Sequence, residues 1–562
     1  MYHRRLHHTL IVVLMLAASP GFGPGGWGGV TSARAQAISA DRCTYYVYVP
    51  LALRNYDGSG GGAAGTPYGF TPPDADFNGD GYADVAIGVP REDVFYDGSD
   101  HTDAGAVNIL YGTGNGLAAA DNQIFTQKDV NGLNPPVPED QDLFGQALAT
   151  GDFDGNGCTD LAVGAPGEGI DGNDNAGAVY VFYGTPAADG LDTGTAQAWH
   201  QDVTSVQDSI EANDNFGDAL GAGDFNSDGY DDLVIGVPFE EIDGNDAAGA
   251  FHVLYGSSTG LTATLNQFFD QAGVVFPDEP EAADLFGSAF AAGDFDGDGY
   301  QDLAVGAPGE DNEMSGATDP GAVWMVFGSS AGLSVSDFDG GPGTVQDEHL
   351  GRSLAAGDFN ADGYTDLAAG APNNSDQATN AGRVLIQFRA SQGLASANTL
   401  DQGDDAAADA HFGDSLTVGD FDADGLADLV IGIPGERSIE PDAGAAWVLY
   451  GVDSEIPDPE FYTLNQQDLP GESAEENDAF GSALTSGDYN GDGPADLIIG
   501  VPRESLEDES AHQAGLVREV HGVDGSGLTI LGSYVWTQAT SDIDGDVKGA
   551  AEDNDFFGDA LR

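Results

Sequence analysis

Asp294-Phe295-Asp296-Gly297-Asp298-Gly299-Tyr300-Gln301-Asp302-Leu303-Ala304-Val305-Gly306-Ala307-Pro308 carries two signals in fifteen residues. Carboxylates stand at positions 1, 3, 5 and 9 of a nine-residue loop with glycine at position 6, and a short apolar run closed by proline follows. Oxygen donors at 1, 3 and 5, a main-chain carbonyl at 7 and a carboxylate at 9 make a cage for a hard cation that accepts six to eight oxygens, which is the preference of calcium; magnesium demands a tighter octahedron that keeps its waters. An EF-hand would need glutamate at position 12 and helices on both sides. Here position 12 is Val305, and the run after the loop reads as a buried strand.

The same nine-residue pattern opens seven times, at Asp76, Asp152, Asp224, Asp294, Asp358, Asp420 and Asp488, with intervals of 62 to 76 residues. One acidic turn is ordinary, since Asp, Asn and Gly dominate turns, but seven copies in one register indicate one structural unit repeated. The expected ligands are Asp76, Asn78, Asp80, Tyr82 and Asp84 in the first loop, and Asp152, Asp154, Asn156, Cys158 and Asp160 in the second. The third offers Asp224, Asn226, Asp228, Tyr230 and Asp232, the fourth Asp294, Asp296, Asp298, Tyr300 and Asp302, and the fifth Asp358, Asn360, Asp362, Tyr364 and Asp366. Asp420, Asp422, Asp424, Leu426 and Asp428 form the sixth, and Asp488, Asn490, Asp492, Pro494 and Asp496 the seventh. The residue at position 7 contributes its carbonyl, so Cys158, Leu426 and Pro494 serve there as well as tyrosine does. About seven calcium ions are expected.

Eight residues before each loop after the first stands an aromatic or leucine followed by glycine: Phe144-Gly145, Phe216-Gly217, Phe286-Gly287, Leu350-Gly351, Phe412-Gly413 and Phe480-Gly481. A strand is expected to begin there, a second after the loop, a third at stretches such as 177–184, and a fourth after tight turns such as Thr113-Gly114-Asn115-Gly116-Leu117. Four antiparallel strands per repeat make a propeller blade, so the fold class is all-β, a seven-bladed β-propeller. The first loop lacks its upstream Phe-Gly, and the chain ends on Phe557-Gly558-Asp559-Ala560-Leu561-Arg562, a Phe-Gly without a loop. The two halves complete one blade, closing the ring by pairing of the C-terminal strand into the first blade and protecting its edges.

Phe-Gly, the acidic loop and Gly-Ala-Pro (Gly164-Ala165-Pro166, Gly306-Ala307-Pro308, Gly370-Ala371-Pro372) resemble the FG-GAP repeat of integrin α-subunit head domains and of bacterial surface proteins. The match covers roughly residues 66 to 562. It departs at Leu350 and where Gly-Val-Pro or Gly-Ile-Pro replaces Gly-Ala-Pro. The resemblance implies calcium loops on one face, ligand contacts on the other, and a role in adhesion without catalysis.

In a four-stranded meander the calcium loops share one end with the turns between strands three and four, so the connections 91–103, 168–175, 240–247 and 310–320 reach the opposite face. Variable loops on a rigid scaffold are where binding usually resides, and a protein or glycan ligand is expected there. Asp171-Gly172-Asn173-Asp174 and Asp243-Gly244-Asn245-Asp246 recur in these connections and read first as acidic turns, second as further cation sites. The net charge of −80 makes nucleic acid and anionic membranes poor partners. Seven calcium ions would offset a small part of it, and solubility in a saline setting is the plainest reading of the rest.

Residues 1–35 read as a signal peptide, with Arg4-Arg5, an apolar run from Leu10 to Ala18 and the small-x-small site Ala33-Arg34-Ala35. The run is about half the ~20 residues a membrane anchor needs, and no later segment reaches that length. An extracellular or cell-surface location and a monomer are expected. Residues 36–65 hold one short strand around Tyr45-Tyr46-Val47-Tyr48-Val49 and a glycine-rich linker, and residues 66–562 form the propeller. Two cysteines, Cys43 and Cys158, cannot supply the disulfide framework of a small secreted domain.

No metalloprotease helix, cysteine pair or phosphate-cradling glycine loop occurs. Gly413-Asp414-Ser415-Leu416 spells a lipase-like block but lies in register with Gly145-Gln146-Ala147-Leu148, and His349 and His411 share one repeat position, so all three read as parts of blades. The alternative function is a carbohydrate-active propeller enzyme with acids meeting in the axial channel.

Overall fold

The computed structural model describes residues 75–130, 137–185, 190–272, 279–311, 317–342, 348–390, 393–403, 406–452, 461–470, 473–505, 513–538, 541–542, 545–546 and 555–561. The expected signal peptide and the segment 36–65 lie outside the described residues. Among the described residues there is no α-helix, and no helix long and apolar enough to cross a membrane.

Seven four-stranded antiparallel sheets follow one another along the chain. The second blade shows the pattern: Leu148–Gly151 innermost, then Asp160–Ala165, Ala178–Gly184 and Leu191–Trp199 outermost. Its second strand is buried at every position, like Asp232–Val237 and Asp496–Val501 in later blades. That explains why these strands read as continuous apolar runs: each blade is covered on both faces by its neighbours. The innermost strands are built of small residues, as in Leu220–Gly223 (LGAG) and Phe290–Gly293 (FAAG), and together they line a central cavity of about 470 Å³. Small side chains allow seven strands to converge on one axis.

The ring closes as its two half-blades require. In the first blade Ala560–Leu561 takes the innermost place beside Val85–Val89, with Leu561 opposite Ile87 and Ala560 opposite Gly88. Phe557 is fully buried with Val85, Ile87 and Ile498, joining the first blade to the seventh.

One expectation needs correction. Phe144-Gly145 and its counterparts do not begin the inner strand, which starts at Leu148 in the second blade. Gly145 has φ +97° and the nearby Leu143 φ +58°, so the chain turns there in left-handed conformations that a strand cannot contain. The motif is a clamp between blades. Phe216 N–H donates to the Ala176 carbonyl of the preceding blade, and the buried Phe216 ring packs with Val179 and Val181 on one side and Leu220 and Val237 on the other. A Cβ at Gly164 would lie 2.1 Å from the Gly217 carbonyl oxygen, so the glycine of Gly-Ala-Pro is needed for the next blade to approach.

Candidate metal loops and the opposite face

Six of the nine-residue loops connect the first strand of a blade to the second, and the first loop leads into the second strand of its blade at the same end, so all seven lie on one face. Glycine at position 6 holds a positive φ throughout, from +85° at Gly363 to +112° at Gly493. This turn folds the main chain around the first carboxylate. Asp294 Oδ1 accepts from Gly297 and Asp298 N–H while its Oδ2 accepts from Gly299 N–H, and Asp296 and Asp298 each accept from the N–H two residues on. Position 9 is anchored more deeply. Asp302 takes Phe295 N–H on Oδ2 and Gly328 N–H on Oδ1, and Asp84, Asp160, Asp232, Asp366, Asp428 and Asp496 accept at least one equivalent bond.

Three loops bring carboxylate oxygens of positions 1, 3 and 9 within 4.8 Å of one another: Asp152, Asp154 and Asp160; Asp294, Asp296 and Asp302; Asp420, Asp422 and Asp428. In the other four, asparagine replaces the acid at position 3. Asn226 Oδ1 is buried with no hydrogen-bond partner, which is the condition of an oxygen made for a cation. Burial raises the position-9 carboxyls, opposed by their main-chain hydrogen bonds: Asp232, Asp366 and Asp428 to about 8 and Asp302 to about 7, with neighbouring loop carboxylates adding to the rise; Asp496 rises to about 7 although His521 beside it works the other way. Asp84 and Asp160 are pushed well above the usual carboxylate range for the same reason. A buried carboxylate among carboxylates needs a positive charge, and an all-oxygen set of this kind fits a hard divalent cation. Cys158 at position 7 of the second loop is buried, and its main-chain N–H donates to Asn156 Oδ1 at position 5.

The loops are also tied to one another. Position 8 of one loop donates its N–H to the position 1 carbonyl of the preceding one, as Thr159 does to Asp76, Asp231 to Asp152 and Ala495 to Asp420, and Ala83 to Asp488 joins the first loop to the seventh.

The opposite face carries a depression of about 860 Å³ formed by connections of the fourth to seventh blades. Only eight lysines and arginines fall among the described residues, and three of them, Arg352, Arg437 and Arg503, line this depression with His349 and His411. Arg437 pairs with Asp442 at 2.7 Å, and Asn373 hydrogen-bonds His349 Nδ1 at 2.9 Å. His349 and His411 do occupy the repeat-wide left-handed position, both at φ +56°, shared with Leu143, Asn215, Leu285, Ala479 and Phe556. What separates them from those residues is an imidazole placed in the depression. Ser415, in the lipase-like block, donates to the Gly481 carbonyl of the next blade and is structural. Asp171 and Gly172 form a two-residue hairpin turn at φ +51° and +91°, closed by Ile170 and Asn173.

Asp218, Asp414 and Asp559 follow the glycines of their Phe-Gly pairs, just before the innermost strands of their blades. Burial in the surrounding protein raises all three, and nearby guanidinium groups counter it: Arg352 for Asp218 and Asp414, Arg91 and Arg503 for Asp559.

A further set of acids went unread in the sequence. Two residues after six of the seven closing prolines stands Glu92, Glu168, Glu240, Glu310, Glu436 or Glu504, with Asn374 in the fifth blade, and each glutamate accepts a hydrogen bond from a glutamine just past the outer strand of the preceding blade: Gln538, Gln127, Gln201, Gln271, Gln402 and Gln466. An aspartate two residues before the Phe-Gly aromatic joins most of these junctions. Burial, then the facing aspartate, raises Glu168 and Glu240 to about 9 and Glu504 to about 8. The signal was present as a repeated aromatic-or-leucine-x-Gln and Pro-x-Glu, but nothing in one sequence pairs the two across a blade boundary.

The FG-GAP repeat family matches seven times, at residues 75–110, 144–182, 216–254, 286–325, 350–386, 412–449 and 480–518, and the chain is an FG-GAP repeat protein. Integrin alpha-PS2 of Drosophila melanogaster is 30% identical over 249 residues, covering 43% of this chain and 15% of that protein. Integrin alpha pat-2 of Caenorhabditis briggsae is 31% identical over 274 residues, covering 44% and 20%. Phosphatidylinositol-glycan-specific phospholipase D of Bos taurus is 38% identical over 157 residues, covering 27% and 18%. The chain thus spans a fifth or less of the length of these relatives.

Proposed function

We propose that this chain is an exported, calcium-binding propeller that works by binding a ligand, without catalysis, through the face opposite its calcium loops. The observation that carries the reading is the gathering of Arg352, Arg437 and Arg503 with two histidines in one depression of a chain that has 95 acids and 15 bases. Bases so scarce would seldom meet by chance on adjacent blades. The integrin resemblance assigns ligand contacts to the same face. Guanidinium forks beside carboxylates and amides suit polar recognition of a protein surface, and a glycan is the second class of ligand that such a lining fits. Calcium in the loops would hold the scaffold rigid from the far side.

The test is a binding screen of the mature chain in calcium against extracellular proteins and a glycan array. Ligands found in it should be lost by the combined Arg352→Ala, Arg437→Ala and Arg503→Ala variant. Binding that survives in the folded variant would remove the site from this face. The enzyme reading draws on the phospholipase D likeness and on the buried acids beside the innermost strands; turnover abolished by Asp414→Asn would favour it over adhesion.

A further inference from the structure

The fourth and sixth loops are a matched pair. Each puts a carboxylate at positions 1, 3, 5 and 9, where the other five loops put three carboxylates and one asparagine. In both, oxygens of positions 1, 3 and 9 lie within 4.8 Å of one another, as Asp294, Asp296 and Asp302 and as Asp420, Asp422 and Asp428. What differs is the charge that the following blade brings to the loop.

At the end of the third strand of every blade, one residue donates its N–H to the position-9 carboxylate of that blade's own loop, at 2.8 to 3.0 Å. It is glycine in six blades, from Gly112 to Gly522, and Arg389 in the fifth. A side chain at this place starts against the preceding loop: a Cβ at Gly184 or Gly256 would lie 3.0 Å from the position-2 carbonyl oxygen of the loop before, Phe77 or Phe153. The loop before Arg389 is the fourth, whose position 2 is Phe295, between Asp294 and Asp296. Arg389 is 1% exposed, so its charge is kept inside the protein. Burial raises the Asp296 carboxyl, and Arg389 is a cation acting against that rise.

The sixth loop receives the opposite sign. Gly522 stands at the place of Arg389, and the turn after it lies on the loop: Val523 N–H donates to the Phe421 carbonyl at 3.2 Å and Gly525 N–H to the Asp422 carbonyl at 2.7 Å. Between them is Asp524, an exposed acid that adds to the rise burial causes in Asp422.

Cation affinity in an all-oxygen loop follows the charge at the site, and a guanidinium beside the cage repels the ion that the carboxylates attract. We propose that the following blade sets the calcium affinity of these two loops, Arg389 making the fourth the weaker site and Asp524 making the sixth the tighter one. Calcium would then fill the ring in order, and the fourth loop would respond only toward the upper end of the range. The inference rests on the calcium reading of the loops and adds a ranking to it.

Crystals of the mature chain equilibrated at a series of calcium concentrations, measured at a long wavelength where calcium scatters anomalously, report on each loop separately. The sixth-loop peak is expected to reach half height at about tenfold less calcium than the fourth. Peaks that rise together, or a fourth-loop peak that rises first, would overturn the ranking, whereas no peak in any loop at saturating calcium would overturn the calcium reading itself. Arg389→Gly, which installs the residue the other six blades carry, should move the fourth loop toward the sixth, Arg389→Lys should leave it weak, and Asp524→Asn should weaken the sixth. Unchanged peak heights in both Arg389→Gly and Asp524→Asn would refute the proposal, and the unaltered crystals decide should a variant fail to fold.

Discussion

Single residues set the distance between blades. Gly164 faces the Gly217 carbonyl of the next blade so closely that one methyl group has no room, and the obstacle is main chain on both sides. Gly164→Ala should therefore destabilise the protein by about 2–3 kcal/mol, the usual cost of overpacking. Gly172 sits in an open hairpin turn where an added Cβ would meet nothing within 4 Å, and it should lose only about 1 kcal/mol on the same change, from its positive φ. Thermal or urea unfolding of the two variants side by side separates contact from conformation. Phe216, buried between two blades, should cost about 3–5 kcal/mol when cut to alanine.

At the scale of an element, the acidic loop is a place where protons would compete with the proposed calcium. In the ion-free protein Asp232, Asp366 and Asp428 titrate near 8 and Asp302 near 7, against about 3.9 in the unfolded chain. The folded state then holds more protons than the unfolded one between about pH 4 and pH 8, so stability in EGTA should fall as pH rises through that window. Calcium must displace the same protons, and its affinity should rise over the same range. The melting temperature gained on adding calcium is expected to grow from pH 5 to pH 8. A gain independent of pH would mean that the position-9 carboxylates are not ligands.

For the whole molecule, the decisive feature is a closed ring of seven similar units. Removing residues 556–562 takes away the inner strand of the first blade and the buried Phe557, exposing the edge of Val85–Val89 to pairing with another chain. The truncated protein should melt well below the full chain, by roughly 10 °C or more, and associate on heating, measured by circular dichroism and light scattering; an unchanged melt would show that closure contributes little. Calcium in the proposed loop sites would act on the same ring. If each loop has a dissociation constant near 0.1 mM, about 2 mM free calcium contributes about 1.8 kcal/mol per site, so the combined effect should be visible as a large shift in melting between calcium and EGTA.

The sequence alone determined the repeat count, the all-β class, the four-stranded unit and the closure, because each follows from local periodicity and from the half-motif at either end. It also located the seven loops, since a nine-residue cage is written in consecutive residues. The beginning of the inner strand was misread at Phe144, where a left-handed turn and an extended run share the same apolar letters. Three things were settled only by tertiary structure: that Gln201 of one blade meets Glu240 of the next, that His349 and His411 look into the same depression as Arg503, and that Gly164 is glycine for the sake of Gly217. Each joins residues that the chain separates by about 40 to 150 positions, and only the stacking of one blade on another brings them within reach.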